Sequence, residues 1–82
     1  MTVKTTRFFI TKRNVTKGII EGYRKTIYFQ MGDVQYFNCY KYSDGLLDVN
    51  FYNGNRILIE HSEQDFLINY EKSRLSNYTN LN

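Results

Sequence analysis

The only histidine, His61, stands between Glu60 and Ser62, with Glu63 two residues on. An imidazole beside a carboxylate is the smallest set that can do general acid–base chemistry, because the carboxylate orients the ring and stabilises its charged form. Nothing else in the chain completes such a site. Cys39 has no second cysteine, and one histidine is too few for a zinc site. Asp44, Asp48, Glu60, Glu63 and Asp65 lack the spacing of a calcium loop. No glycine-rich phosphate loop or nucleophile elbow occurs. His61 therefore reads as a surface or capping residue and Cys39 as a buried, inert thiol. The expectation is a protein that is not an enzyme, without catalytic residues, metal or cofactor.

Recognition chemistry is better represented. Tyrosine joins a large apolar ring to a hydroxyl at little rotamer cost, and with arginine it is enriched where surfaces bind. Strand alternation puts Tyr28, Tyr36, Tyr40, Tyr42 and Tyr52 on one face with Arg24 and Arg56. Aromatic rings beside cations also describe a platform for single-stranded nucleic acid. The charges are unevenly placed around them. Residues 1–30 carry seven basic groups against Glu21 alone, a balance of +6 within a net charge of +3. Lys12, Arg13, Lys17 and Lys25 are the candidate basic patch. Either this excess faces an anion, or it pairs within the fold with Asp44, Asp48 or Glu60. The deciding question is whether the first hairpin folds alongside the tyrosines.

The elements that must position these residues are organised around Val34–Ile59. Ser43-Asp44-Gly45 and Tyr52-Asn53-Gly54 divide three short runs of aromatic and branched residues, the strongest short-range hairpin signal. Read as three-residue loops, they oppose Tyr42 to Leu46, Cys39 to Val49 and Phe37 to Phe51 across the first turn. Across the second they oppose Val49 to Ile57 and Leu47 to Ile59. Phe37, Cys39, Leu47, Val49, Phe51, Ile57 and Ile59 are then all odd-numbered and share one face. A similar loop at Gly32-Asp33 would pair Phe29 with Phe37 and Ile27 with Cys39, extending that face through four strands.

The expected fold is one small α+β, mostly β, domain spanning residues 1–82. It has a five-stranded antiparallel sheet, curled or a small barrel, with one C-terminal helix. Strands are expected at about residues 6–12, 19–31, 35–42, 46–52 and 55–60, a helix at about 62–75, and a frayed tail at 76–82. Arg13–Gly18 reads as a turn and Gly22 as a bulge or bend. Ser62 with Asp65 reads as a helix start. The helix should lay Phe66, Leu67 and Tyr70 on the odd face. The predicted core also holds Ile19, Tyr23, Ile27, Phe29, Phe37, Cys39, Leu47, Val49, Phe51, Ile57 and Ile59.

Met1–Lys17 has no apolar stretch of signal-peptide type, and no run approaches the ~20 apolar residues of a membrane span. The expectation is a cytoplasmic protein without membrane contact. Alanine, proline and tryptophan are absent while Asn, Tyr, Phe, Ile and Lys abound, a bias that suits an AT-rich, phage-like source and hence a host cytoplasm. The leading functional expectation is a phage or mobile-element inhibitor or accessory factor that binds and occludes a host protein. The alternative is a module for RNA or single-stranded DNA. The Thr6–Lys12 strand, taken as an edge, is expected to pair in a homodimer or with a larger protein.

Overall fold

The computed structural model describes residues 1–14 and 16–79, the last four of these for their backbone only. Five strands precede one helix: β1 (Thr2–Asn14), β2 (Ile19–Gln30), β3 (Val34–Cys39), β4 (Leu46–Phe51), β5 (Arg56–Glu60) and α1 (Glu63–Thr79). They form one open antiparallel sheet in the order β2-β1-β5-β4-β3. The mostly-β α+β fold read from the sequence is the one observed.

The second glycine turn behaves as its sequence dictates. Gly54 takes the left-handed conformation at φ +89, and Phe51 N–H bonds to the Asn55 carbonyl at 2.9 Å. Val49 thus opposes Ile57 and Leu47 opposes Ile59, as expected. The first turn is longer. Strand β3 ends at Cys39, and residues 40–45 form the connection, with Tyr40 N–H bonded to Leu46 O at 2.9 Å. Phe37 therefore meets Val49 and Cys39 meets Leu47, two residues away from the expected register. A shift of two preserves the face, so the odd residues still point together.

The first strand departs most from expectation. It is no edge: β1 lies between β2 and β5, pairing with β2 from Thr2↔Gln30 to Asn14↔Ile19 and with β5 through Thr6, Arg7 and Phe8. Strand β2 consequently does not pair with β3. Instead Met31–Asp33 forms one 3₁₀ turn that carries the chain between the two edges. Met31 is buried there and its N–H bonds to the Met1 carbonyl at 2.8 Å. Thr6–Lys12 is thus not the open edge the expected pairing supposed, because both sides of its Thr6–Phe8 portion are already hydrogen-bonded.

Helix α1 begins where predicted. Ser62 Oγ accepts the Asp65 N–H at 3.3 Å and Ser62 O accepts that of Phe66 at 2.9 Å, satisfying donors the first turn leaves open. The inward stripe is Phe66, Tyr70 and Ser73, while Leu67 points outward. Phe66 packs against Phe37 at 4.7 Å and Phe29 at 6.4 Å between centroids. The helix continues to Thr79 where a frayed tail was expected; residues 80–82 lie outside the described residues, as does Val15 of the predicted 13–18 turn.

The odd-face core holds Leu47, Val49, Ile59 and Phe66, joined by Val3, Met31 and Val34, with Ile27, Phe29, Phe37, Phe51, Ile57 and Tyr70 packed against it. Ile19, Tyr23, Cys39 and Leu67 were expected there and are exposed. Ile19 and Tyr23 sit on the distal half of the β1–β2 hairpin, which belongs to a molecule 52 Å long and only 21 × 19 Å across. Cys39 ends β3 beside the helix start. A second cluster occupies the even face: Phe8, Tyr40 and Leu46, with Ile10, Ile20, Tyr42 and Leu58. The hairpin and the 40–45 connection close on each other there, so the tyrosine face is partly a core.

Candidate functional site

The most elaborated site lies on that even face, and a bulge builds it. Opposite Gly22, β1 carries one extra residue, Thr11, so that Lys12 faces Glu21 and Arg13 faces Ile20. An inserted residue exchanges the two faces of a strand beyond it. Odd-numbered Arg13 is thereby delivered to the even face, where its Nη1 donates to the Tyr40 hydroxyl at 2.9 Å. Its guanidinium carbon also stands 5.1 Å from the centre of the Tyr42 ring. Lys41 Nζ is 4.8 Å from the same ring, and Tyr40 meets Tyr42 edge to face at 5.4 Å. The Lys41 ammonium, helped by Arg13, holds the Tyr42 phenol below its usual range despite some desolvation.

These residues line a cleft of about 500 Å³ together with Cys39, Asp48, Arg56 and Leu58. That volume lies within the range of small-molecule and nucleotide sites, and its walls combine rings with hydrogen-bonding heads. Arg56 contributes little free charge. Its Nε donates to Asp48 Oδ1 at 2.6 Å and its Nη2 to Oδ2, a two-pronged pair that raises the guanidinium pKa further. Tyr36 is exposed on the same face of β3, opposite Asn50. The free positive charge of the cleft is that of Arg13 and Lys41.

Of the residues predicted from the sequence, the structure brings together Arg13, Tyr40, Tyr42 and Arg56, with Tyr36 flanking them. Tyr40 is only 8% exposed, so it forms the floor and is less accessible than expected. Arg24 lies elsewhere on the even face, paired with Glu60 and 5.2 Å from the Phe8 ring centre. Tyr28 is exposed near the far end of β2, opposite Lys4, and Tyr52 in the β4–β5 turn. Lys17 sits at the hairpin tip, where its N–H bonds to Asn14 Oδ1. Lys12 and Lys25 belong to the other face, with Glu21 and Arg7 opposite them.

Sequence reasoning missed Lys41 as a site residue, since its odd number assigned it to the apolar face. It lies beyond the end of β3, where alternation no longer holds. It also missed a second aromatic and basic group on the odd face of the hairpin. There Phe9 stacks on Tyr23 at 4.8 Å and 8° between planes, with Arg7 4.2 Å from the Phe9 centroid. Lys25 Nζ is 5.8 Å from the Tyr23 centroid. Only the cross-strand register, fixed by the Gly18 turn, could have revealed this group.

The other candidate chemistry is not assembled. His61 Nδ1 is 3.1 Å from Thr5 Oγ1 and its ring packs on Phe66. Glu60 is held by Arg24, and Glu63 accepts the Cys39 thiol at 2.9 Å. That bond to a carboxylate, with some desolvation, raises the Cys39 pKa, the opposite of the shift that activates a cysteine. Among the described residues, no group of three metal-ligating side chains converges, and no helix is long and apolar enough to cross a membrane. Comparison with protein-family models, curated proteins and solved structures finds no match to this chain.

Proposed function

We propose that this is a non-enzymatic binding protein whose even-face cleft takes single-stranded RNA or DNA. The observation that supports this reading is the meeting of Arg13 with Tyr40 and Tyr42. The basic hairpin, +6 over residues 1–30, folds alongside the tyrosines and lends them a cation. Of the seven basic groups in that segment, Arg24 is the one in an ion pair among the described residues. The remaining six are not in ion pairs with the acidic middle of the chain, and Arg13 is the one of them that lines the cleft. Rings supply a stacking surface indifferent to base identity, and Arg13, Lys41 and Lys17 track the backbone.

Variants at the cleft test this. Tyr42→Ala should weaken binding of a single-stranded oligonucleotide by about 1–3 kcal/mol, the usual worth of one stacked base. Arg13→Ala should weaken it and lower the salt slope by about one phosphate contact. Tyr28→Ala, far from the cleft, should leave affinity unchanged. Fluorescence anisotropy with a labelled oligonucleotide measures all three.

A second reading, occlusion of a host protein, draws on Tyr28 and Tyr52. Both are more than 60% exposed, and Asp33, Asn53 and Asn55 line a shallow cleft with Tyr28. Exposed tyrosines whose neighbours carry both signs of charge, Lys4 and Arg7 with Asp33, fit a protein contact better than a phosphate. On that reading, Tyr28→Ala and Tyr52→Ala would abolish capture of a nuclease-resistant partner while Arg13→Ala would not.

A further inference from the structure

The two edges of the sheet are not equivalent. On β3 the Gln35 carbonyl is occupied by the helix, accepting from Tyr70 Oη at 2.8 Å and Arg74 Nη2 at 3.0 Å. Strand β2 runs for twelve residues with β1 on one side and, among the described residues, no strand on the other. An uncovered row of backbone donors and acceptors is a template for another strand. Three large side chains stand exposed along it, Ile19 at 43% and Tyr23 at 48% on the odd face and Tyr28 at 65% on the even face.

We propose that β2 pairs antiparallel with β2 of a second copy, about a two-fold axis through Tyr23. A two-fold axis perpendicular to a sheet keeps each face on its own side, so residues of equal parity must oppose one another. Centring on Tyr23 opposes Glu21 to the partner copy's Lys25 twice, by symmetry, and sets Ile19 against Ile27 and Gly22 against Arg24. Moving the axis one residue toward Arg24 opposes Arg24 to itself and Glu21 to Ile27. Moving it toward Gly22 sets Ile19 against Lys25. Only the Tyr23 register makes ion pairs without a like-charge or apolar–charged opposition.

Two features of the monomer point the same way. Lys25 lies directly opposite Arg7 in the hairpin, a like-charge pair that costs stability and that a carboxylate from across the dyad would relieve. The Phe9–Tyr23 stack ends at the open edge, and the symmetric pairing continues it as a row of four rings. The interface uses the odd face and edge of the hairpin, so it does not depend on the even-face cleft or on what that cleft binds.

Charge exchange tests the register. Sedimentation equilibrium up to about 1 mM, a range in which even weak association is populated, should show a dimer for the unmodified chain. Glu21→Lys and Lys25→Glu should each weaken dimerisation roughly tenfold or more, since each replaces two opposite-charge pairs by like-charge pairs. The double variant restores opposition with signs reversed and should return the dissociation constant to within about threefold. Circular dichroism of each variant checks that the hairpin stays folded. A strict monomer at the top concentration overturns the proposal, as does a dimer indifferent to the single changes or one the double variant fails to rescue.

Discussion

Phe66→Ala is expected to destabilise the protein by about 3–5 kcal/mol, the cost of emptying a fully buried aromatic site. Phe66 is 0% exposed and its ring touches Phe29, Phe37 and His61, so it joins the helix to strands from both ends of the sheet. A domain of this size has a total stability on the order of 5–10 kcal/mol, so such a loss leaves little margin. The remaining helix contacts, chiefly Tyr70 on Phe37 and on the Gln35 carbonyl, are peripheral. Urea denaturation should show the midpoint collapsing. Leu67→Ala, one residue on, is the matched control. Leu67 is 42% exposed, and its truncation should change stability by less than about 0.5 kcal/mol. Equal effects at the two positions would mean the helix presents a different face.

Gly22→Ala should be nearly as damaging, for a steric reason. A Cβ at residue 22 would lie 2.0 Å from the Phe9 carbonyl oxygen and 2.9 Å from Phe8 Cε1. The first of these is backbone inside the β1–β2 ladder and cannot rotate away. The expected cost is about 3 kcal/mol or more, a fall in Tm on the order of 12–24 °C for a domain this small. Gly32→Ala meets nothing within 4 Å and has no positive φ, so it should be neutral or slightly stabilising. Because Gly22 sits opposite the bulge that delivers Arg13 to the tyrosines, its loss should also impair the cleft in any molecules that remain folded.

What the sequence disclosed and what it hid follow from the range of the interactions. The Asn53-Gly54 turn is local, and its three residues dictate both the hairpin and its register. The helix start at Ser62 is equally local. The 40–45 connection was misjudged because Tyr40 and Tyr42 look like strand residues, yet they turn in to cover Phe8 and Leu46. The central place of β1 leaves no local trace, since its partner in β5 is some fifty residues away. That single long-range pairing displaced the expected β2–β3 contact. The cleft was legible in its residue types, tyrosines beside a basic segment, but not in its membership. Arg13 enters only through the Thr11 bulge, and Lys41 only because β3 stops at Cys39.

The binding of single strands is the central claim, and phosphate contact has a signature that protein contact does not share. Each phosphate neutralised releases condensed counterions, so affinity falls with salt in proportion to the number of contacts. Arg13, Lys41 and Lys17 offer two or three such contacts. The decisive measurement is the affinity for a labelled single-stranded oligonucleotide across a salt series from about 50 to 200 mM, the range over which this effect is readily resolved. Binding is expected at the low end, with a log–log slope of about −1.5 to −2 that is reduced in Arg13→Ala. No binding at low salt, or an affinity that does not change along the series, would contradict it.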